Sequence, residues 1–571
     1  MAGFRRGEVA ACPGATKAMG VERVASLFPS ADLEGSIAWR PVPSEKWWRE
    51  GIIYQIYPRS FQDSNGDGIG DLRGVIDRLD YLQWLGVDAI WLNPITVSPD
   101  ADAGYDVADY CAVQPVFGDL GTVDRLIAEA AKRDIGTVLD IVPNHSSDRH
   151  PWFIDARSSR ASAHRDWYVW ADPKPDGSPP NNWLSAFGGP AWTLDALTGQ
   201  YYLHNFLPEQ PDLNWWNPAV RDAFDDIYRF WFDRGVAGFR IDVAHGIVKD
   251  KELRDNPLPT KDDPPWVHAH GQRSVYNVER PEVHDVLRRW RALANTYDPP
   301  RILLGETYVR DVRSMGLFYG KDDELQLAFN FTYVHAPFEA AALASVVDES
   351  ETIIPLDGWP VWTVSNHDVS RVMSRWAVGD ERKLRCALLS LLTLRGTPVL
   401  YYGDEIGMPD TRLRKADLQD PLGKRYWPAP RGRDPERTPM HWSDTPGGGF
   451  TKAGARSWLP LGDVAARNVA DQRRDPSSTL NFVRGLIATR RQRPDLRNGA
   501  YQQLPAPAGV WAWQRGRETS IALNLSDEPV SVVAIRGTVL ISTMRSRDGE
   551  RIDRGLELAP WEGAICSSAS T

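Results

Sequence analysis

Eight short apolar runs recur along the middle of the chain, each followed by a polar loop. They are GIIYQIYP from Gly51, AIWLNP from Ala89, GTVLDIVPN from Gly136, GFRIDV from Gly238, ILLGET from Ile302, LQLAFNF from Leu325, PVWTVSNHD from Pro360 and TPVLYYGDE from Thr397. Runs this continuous, without polar alternation, describe strands buried on both faces, as in a parallel sheet covered by helices. Between them, LRGVIDRLDYLQWLG and PAVRDAFDDIYRFWFDRG return apolar residues at three and four positions, the helical period. Eight strand–helix units suggest closure into a (β/α)8 TIM barrel, an α/β fold. The competing doubly wound open sheet expects a G-x-G-x-x-G turn after the first strand, and none opens that unit here.

Three segments depart from the repeat. Residues 1–44 have no sustained periodicity and read as an N-terminal extension. The connection after the third strand, rich in Trp, Pro and Gly, is too long for a structureless loop in a compact domain, so 145–215 reads as a small inserted domain. That leaves 45–144 and 216–498 for the barrel. From 499 to 571 the pattern changes to short, partly alternating segments such as VWAWQR, SIALNLS and TVLISTM, which predict a C-terminal antiparallel β-sandwich.

The formal charge of −10 offers no basic excess for phosphates and argues against nucleic acid as a partner. The 24 Trp and 18 Tyr suit a cleft that stacks flat rings on sugar faces, although most serve a core. Cys12, Cys111, Cys386 and Cys566 show no metal-ligand spacing and predict reduced thiols. With neither an apolar leader segment nor a run long enough to span a membrane, the expectation is a cytoplasmic protein.

Barrel chemistry sits at the carboxyl ends of the strands. There the sequence places Asn144 and His145 after the third run, Arg240 and Asp242 on the fourth, Glu306 on the fifth, and Asn366, His367 and Asp368 on the seventh. Carboxylates facing one another, one with an arginine two residues away, suit glycoside hydrolysis. Arg240 holds Asp242 ionised as nucleophile; Glu306, ending an apolar strand, is the acid; Asp368 steadies a cationic transition state. A divalent-metal cage is the weaker alternative, since no HExxH-type spacing is present.

DIVPNH (140–145), GFRIDVAHG (238–246), LLGE (303–306), SNHD (365–368) and QPDLNW (210–215) resemble signature regions of the α-amylase family of glycoside hydrolases, in its oligo-1,6-glucosidase and α-glucosidase branch. The resemblance runs from Trp47 to about residue 495. It implies Asp242 as nucleophile, Glu306 as acid/base and Asp368 as stabiliser, with His145, His367 and Arg240 holding the glucosyl ring and the nucleophile. It also implies Tyr105 stacking on that ring, Asp102 gripping its far hydroxyls with Arg437 (Arg433 being the alternative), and Phe187, Phe206 and Gln210 lining the cleft. The activity implied is retaining, exo-acting release of glucose from short α-linked gluco-oligosaccharides or sucrose, with a glucosyltransferase or isomerising synthase as the rival. Val243 matches α-1,6-cleaving members, whereas Ala244-His245-Gly246 departs from them.

DSNGDGIGD (63–71) offers Asp63, Asn65, Asp67, Asp71 and the carbonyl of Ile69 as oxygen ligands. Gly74 stands where a calcium-sensor loop needs its glutamate, which excludes a paired sensor. The resemblance implies a single structural Ca2+ there; a polar turn capping the next helix is the alternative. No organic cofactor is expected, and nothing in the sequence sets the oligomeric state. His150, His164, His204 and His441 read as packing or surface residues.

Overall fold

The computed structural model describes residues 47–263, 265–355 and 358–567; the extension at 1–44 and Cys12 lie outside them. Eight strands form one sheet: β1 (Ile53–Ile56), β2 (Ala89–Leu92), β3 (Gly136–Ile141), β4 (Gly238–Ile241), β5 (Ile302–Gly305), β6 (Leu327–Ala328), β7 (Val361–Trp362) and β8 (Thr397–Tyr401). Their spatial order is β6-β5-β4-β3-β2-β1-β8-β7, every neighbouring pair parallel. A parallel bridge from Phe329 to Val361 joins the two ends and closes the barrel. Every residue of β1–β5 and β8 is buried, the reason these runs carry no polar alternation.

Runs six and seven yield only two-residue strands. In the first, Asn330 ends the extended chain by capping the helix Phe331–His335, its side chain accepting from the Tyr333 amide. In the second, the Asn366 side chain accepts from the Asp368 amide and turns the chain across the barrel mouth. The predicted helix after β1 breaks at Arg78 into Leu72–Asp77 and Leu79–Leu85. Its counterpart Pro218–Asp233 is continuous, with Asn217 as cap and proline in the first turn.

The connection after β3 carries a three-stranded antiparallel sheet of Trp170–Ala171, Gln200–Leu203 and Trp192–Asp195. It has a small core of its own, Trp183, Ala191, Trp192 and Leu203. A bridge between His145 and Asp212 and the buried Lys249–Asp212 ion pair, 2.8 Å, lock it to the barrel rim.

Beyond residue 499 a six-stranded antiparallel sheet faces a two-stranded one, Val530–Val532 with Leu556–Leu558. Period-two alternation divides the larger sheet: Val510, Ala512 and Ala522 face the small sheet, while Trp511, Trp513 and Ile521 join the barrel core. Of the described cysteines, Cys386 and Cys566 are free and buried, but Cys111 is disulfide-bonded, which corrects the expectation of reduced thiols throughout.

Candidate active site

Three strands deliver carboxylates to one guanidinium. Arg240 on β4 is wholly buried; its Nη1 donates to Asp140 Oδ1 on β3 (2.8 Å) and to Asp242 Oδ1 (2.7 Å), and its Nη2 lies 2.9 Å from Glu306 Oε1 after β5. Arg240 and Asp242 point the same way because they stand two apart on one strand. Glu306 Oε2 also accepts from the Val243 amide at 2.9 Å, presented by a left-handed backbone (φ 46°) rare for a β-branched residue. Glu306 thus faces a cation and an amide, with the carboxyl groups of Asp242 and Asp140 on the same guanidinium.

Burial pushes Asp242 well above the ordinary carboxylate range; Arg240 opposes the shift, and Glu306 and Asp140 add to it. Burial likewise raises Asp140 to about 7, against Arg240 and the Tyr105 hydroxyl, which donates to Asp140 Oδ2 at 3.0 Å. Asp140 and Asp242 thus both favour the protonated form despite sharing Arg240. Asp368 behaves oppositely. Burial favours its neutral form, but His367, Arg433 and Arg437 hold it well below the usual range. Because burial itself keeps His367 neutral, the two arginines supply that charge.

Asp242, Glu306 and Asp368 line one cavity of about 450 Å³ together with Asp102, Tyr105, His145, Phe187, Phe206 and Arg433. Arg240, His367, Gln210 and Arg437 do not line it; they brace the residues that do. Tyr105 stacks on His367 with ring planes 9° apart, and its hydroxyl is 2.6 Å from His367 Nε2. Gln210 Nε2 reaches Asp102 Oδ2 at 3.2 Å and His145 Nε2 at 3.0 Å. Burial lowers His145 to about 4, so it is neutral near pH 7.

The pairing of Asp102 with Arg437 is corrected. Arg437 donates instead to Asp368 Oδ1 and to the His367 carbonyl, each at 2.6 Å. Arg433, just before the helical turn Asp434–Arg437, spans the cleft to Asp102 (2.6 Å), Asp420 (2.7 Å) and Asp368 (3.2 Å). Val243 and His245 line the outer wall of the cavity, together with residues that carry no signal in the sequence: Trp266, Arg273, Tyr308 and the Glu279–Arg310 pair at 3.7 Å. Arg273, Glu279, Tyr308 and Arg310 come from irregular connections and Trp266 from the short helix Pro265–His270, with neither sustained periodicity nor motif to mark them.

Residues 55–499 match the family model described as alpha amylase, catalytic domain. The chain belongs to the alpha-amylase family of glycoside hydrolases. Within it, a probable alpha-glucosidase from Rhizobium meliloti is 44% identical, covering 85% of this chain and 90% of its own. An oligo-1,6-glucosidase from Heyndrickxia coagulans is 37% identical over 85% and 93% of the two chains. Among solved structures, the alpha-glucosyl transfer enzyme XgtA superposes with a TM-score of 0.86 at 40% identity, covering 92% of this chain and 99% of its own. The trehalulose synthase MutB from Pseudomonas mesoacidophila gives 0.84 at 33%, over 92% and 100%. This alpha-amylase-family chain is an enzyme whose barrel and C-terminal sheet are those of its relatives.

The loop expected to hold calcium is organised around its own backbone. Asp63 Oδ1 accepts from the Asn65 and Gly66 amides and Oδ2 from the Gly68 amide. Asp67 Oδ1 accepts from Ile69 and Asp71 Oδ1 from Gly74, capping the helix Leu72–Asp77, while Asp71 Oδ2 takes Ser64. Lys452 Nζ donates to the Asn65 carbonyl at 2.6 Å. Among the described residues no three acidic, histidine or cysteine side chains converge as a metal site. Side-chain oxygens of Asp63, Asn65, Asp67 and Asp71 thus turn into the loop, where they accept amides of the same tight turn and of the helix that follows. The histidines set aside are structural: His150 caps a helix, His164 pairs with Asp155, and His204 and His441 bond backbone carbonyls.

Proposed function

We propose that the protein is a retaining, exo-acting α-glucosidase that releases glucose from the non-reducing end of short α-glucosides, sucrose included. The observation that carries the reading is the single guanidinium that Asp242 and Glu306 share inside one cavity. Two carboxyl groups bridged by one guanidinium suit the short separation that retention uses better than the wider one that inversion needs for its water. Asp242 attacks the anomeric carbon while Glu306, acting as the acid, delivers a proton to the leaving oxygen. Glu306 then takes a proton from water, whose oxygen displaces Asp242. Asp368, held ionised by Arg433 and Arg437, faces the cationic character that develops on the ring. The Asp102–Arg433 pair closes the cavity behind a single sugar, which supports release of one glucose at a time.

Asp242→Asn is the test: kcat/KM on an aryl α-glucoside falls by at least about 10⁴-fold while the melting temperature holds, and normal turnover would remove the assignment. Transfer to a sugar acceptor is the second reading, favoured by the likeness to a glucosyl transfer enzyme and a synthase. Incubation with maltose alone separates the two: free glucose supports hydrolysis, longer or rearranged saccharides support transfer. Among the described residues no helix is long and apolar enough to cross a membrane. Cytoplasmic residence belongs to the same proposal, and fractionation of cells decides it.

A further inference from the structure

Far from the barrel mouth, a second groove of about 470 Å³ runs between the helix Leu79–Leu85, the helix Thr479–Gln492 and the C-terminal sheet domain. It is lined by Arg484, Arg491 and Arg545 and by no carboxylate, on a chain whose formal charge is −10. Random surface of so acidic a protein does not concentrate three guanidinium groups in one concavity.

Two glycines shape it. Gly485 lies inside the helix Thr479–Gln492, where glycine costs about 1 kcal/mol relative to alanine. A Cβ there would stand 2.8 Å from Arg545 Nη1 and 3.0 Å from Ile541. Gly86, at φ 96° at the end of the preceding helix, faces Ile487 at 3.0 Å and Arg491 Nη1 at 3.7 Å. The arginine heads thus occupy space the glycines leave, and Arg545 itself adopts a left-handed backbone (φ 59°). Arg491 and Arg545 each have one acidic partner outside the lining, Asp88 at 2.6 Å and Asp548 at 2.9 Å. Arg484 has none among the described residues: it donates to the Trp84 carbonyl at 3.1 Å and lies over the Trp84 ring at 4.7 Å.

We propose that this groove binds a small phosphate monoester. Planar guanidinium groups match phosphate oxygens in pairs, and the volume exceeds what a bare phosphate fills. The exposed Gln83 amide adds a neutral donor for the rest of the ligand. Because Arg545 belongs to the C-terminal domain and Arg484 and Arg491 to the barrel's last long helix, an occupant ties the two together.

Calorimetric titration of the full chain tests this with glucose 6-phosphate and inorganic phosphate as separate probes, in buffer holding saturating glucose so that the catalytic cavity is occupied. Saturable binding of glucose 6-phosphate is expected. It should weaken at least about tenfold in Arg484→Gln, the loss of one charge-assisted hydrogen bond, and recover in part in Arg484→Lys, with turnover of maltose unchanged in both. Tighter binding of glucose 6-phosphate than of phosphate assigns the ester, and equal binding leaves recognition with the phosphoryl group alone; either supports the site. No saturable heat, heat reproduced by sodium chloride at matched ionic strength, or binding untouched by Arg484→Gln overturns it.

Discussion

Replacing Asp140 with asparagine should move the pH profile of the enzyme rather than simply lower its rate. Asp140 has no side-chain exposure and shares Arg240 with Asp242 and Glu306, the bonds to Asp140 and Glu306 being 2.8 and 2.9 Å. Taking about 5 Å between two carboxylates on one guanidinium and an effective dielectric constant of about 20, a unit charge is worth about 3 kcal/mol, or about 2 pKa units. Asp140→Asn removes one negative charge, so a proton on either remaining carboxyl is held less tightly. The limb of kcat/KM that reports loss of the acid's proton should shift toward acid by about 1–2 units, with the limb for the nucleophile moving the same way. Near pH 7 activity falls about 10- to 100-fold and recovers on acidification. The assay is kcat/KM on an aryl α-glucoside over a range of pH. The fold should not be the cause of the loss. Burial raises Asp140 to about 7, so its ionisation reduces stability as pH climbs from the unfolded value toward 7, and asparagine relieves that decline. A uniformly lower profile with both limbs in place would refute the reasoning and leave Asp140 a purely structural residue.

Arg433→Gln should lower kcat/KM about 100-fold, some 2.7 kcal/mol, with much of the loss in KM, since Asp102 loses its brace at the closed end of the cavity. Arg437→Gln should act mainly on kcat through Asp368, and identical kinetic signatures for the two variants would undo the separation of their roles. Gly238→Ala should destabilise by about 2–3 kcal/mol in denaturant titrations, because the new Cβ meets the Ile302 carbonyl at 2.3 Å between β4 and β5. Chelation with EGTA tests the structural Ca2+ proposed at 63–71: a fall in melting temperature restored by calcium is expected, and no change would leave the loop a polar turn held by its own amides.

The barrel was legible because burial on both faces leaves strand runs with no polar alternation, and the eight runs from Gly51 to Thr397 each contain a strand of the closed sheet. Lengths were less legible: LQLAFNF looks like seven extended residues, yet the cap at Asn330 takes its end for a helix. Asp242, Glu306 and Asp368 could be placed on one rim from their positions at strand ends. The environment of Glu306 could not, since the Val243 amide reaches it only through an unusual backbone conformation that no residue type announces. The choice between Arg433 and Arg437 turned on which head group reaches Asp102, since both bond Asp368 Oδ1. Asp140 stands inside a strand run that reads as core, and only its contact with Arg240 distinguishes it.

The tryptophans of the C-terminal sheet have a practical bearing. Trp511 and Trp513 are sunk in the barrel's own core, and the buried Arg515 donates to the Thr393 carbonyl at the end of a barrel helix. A chain cut near residue 499 would leave that helix with a bare apolar flank and an unanswered carbonyl. The smallest piece of this enzyme able to stand alone therefore includes a domain that never meets the sugar.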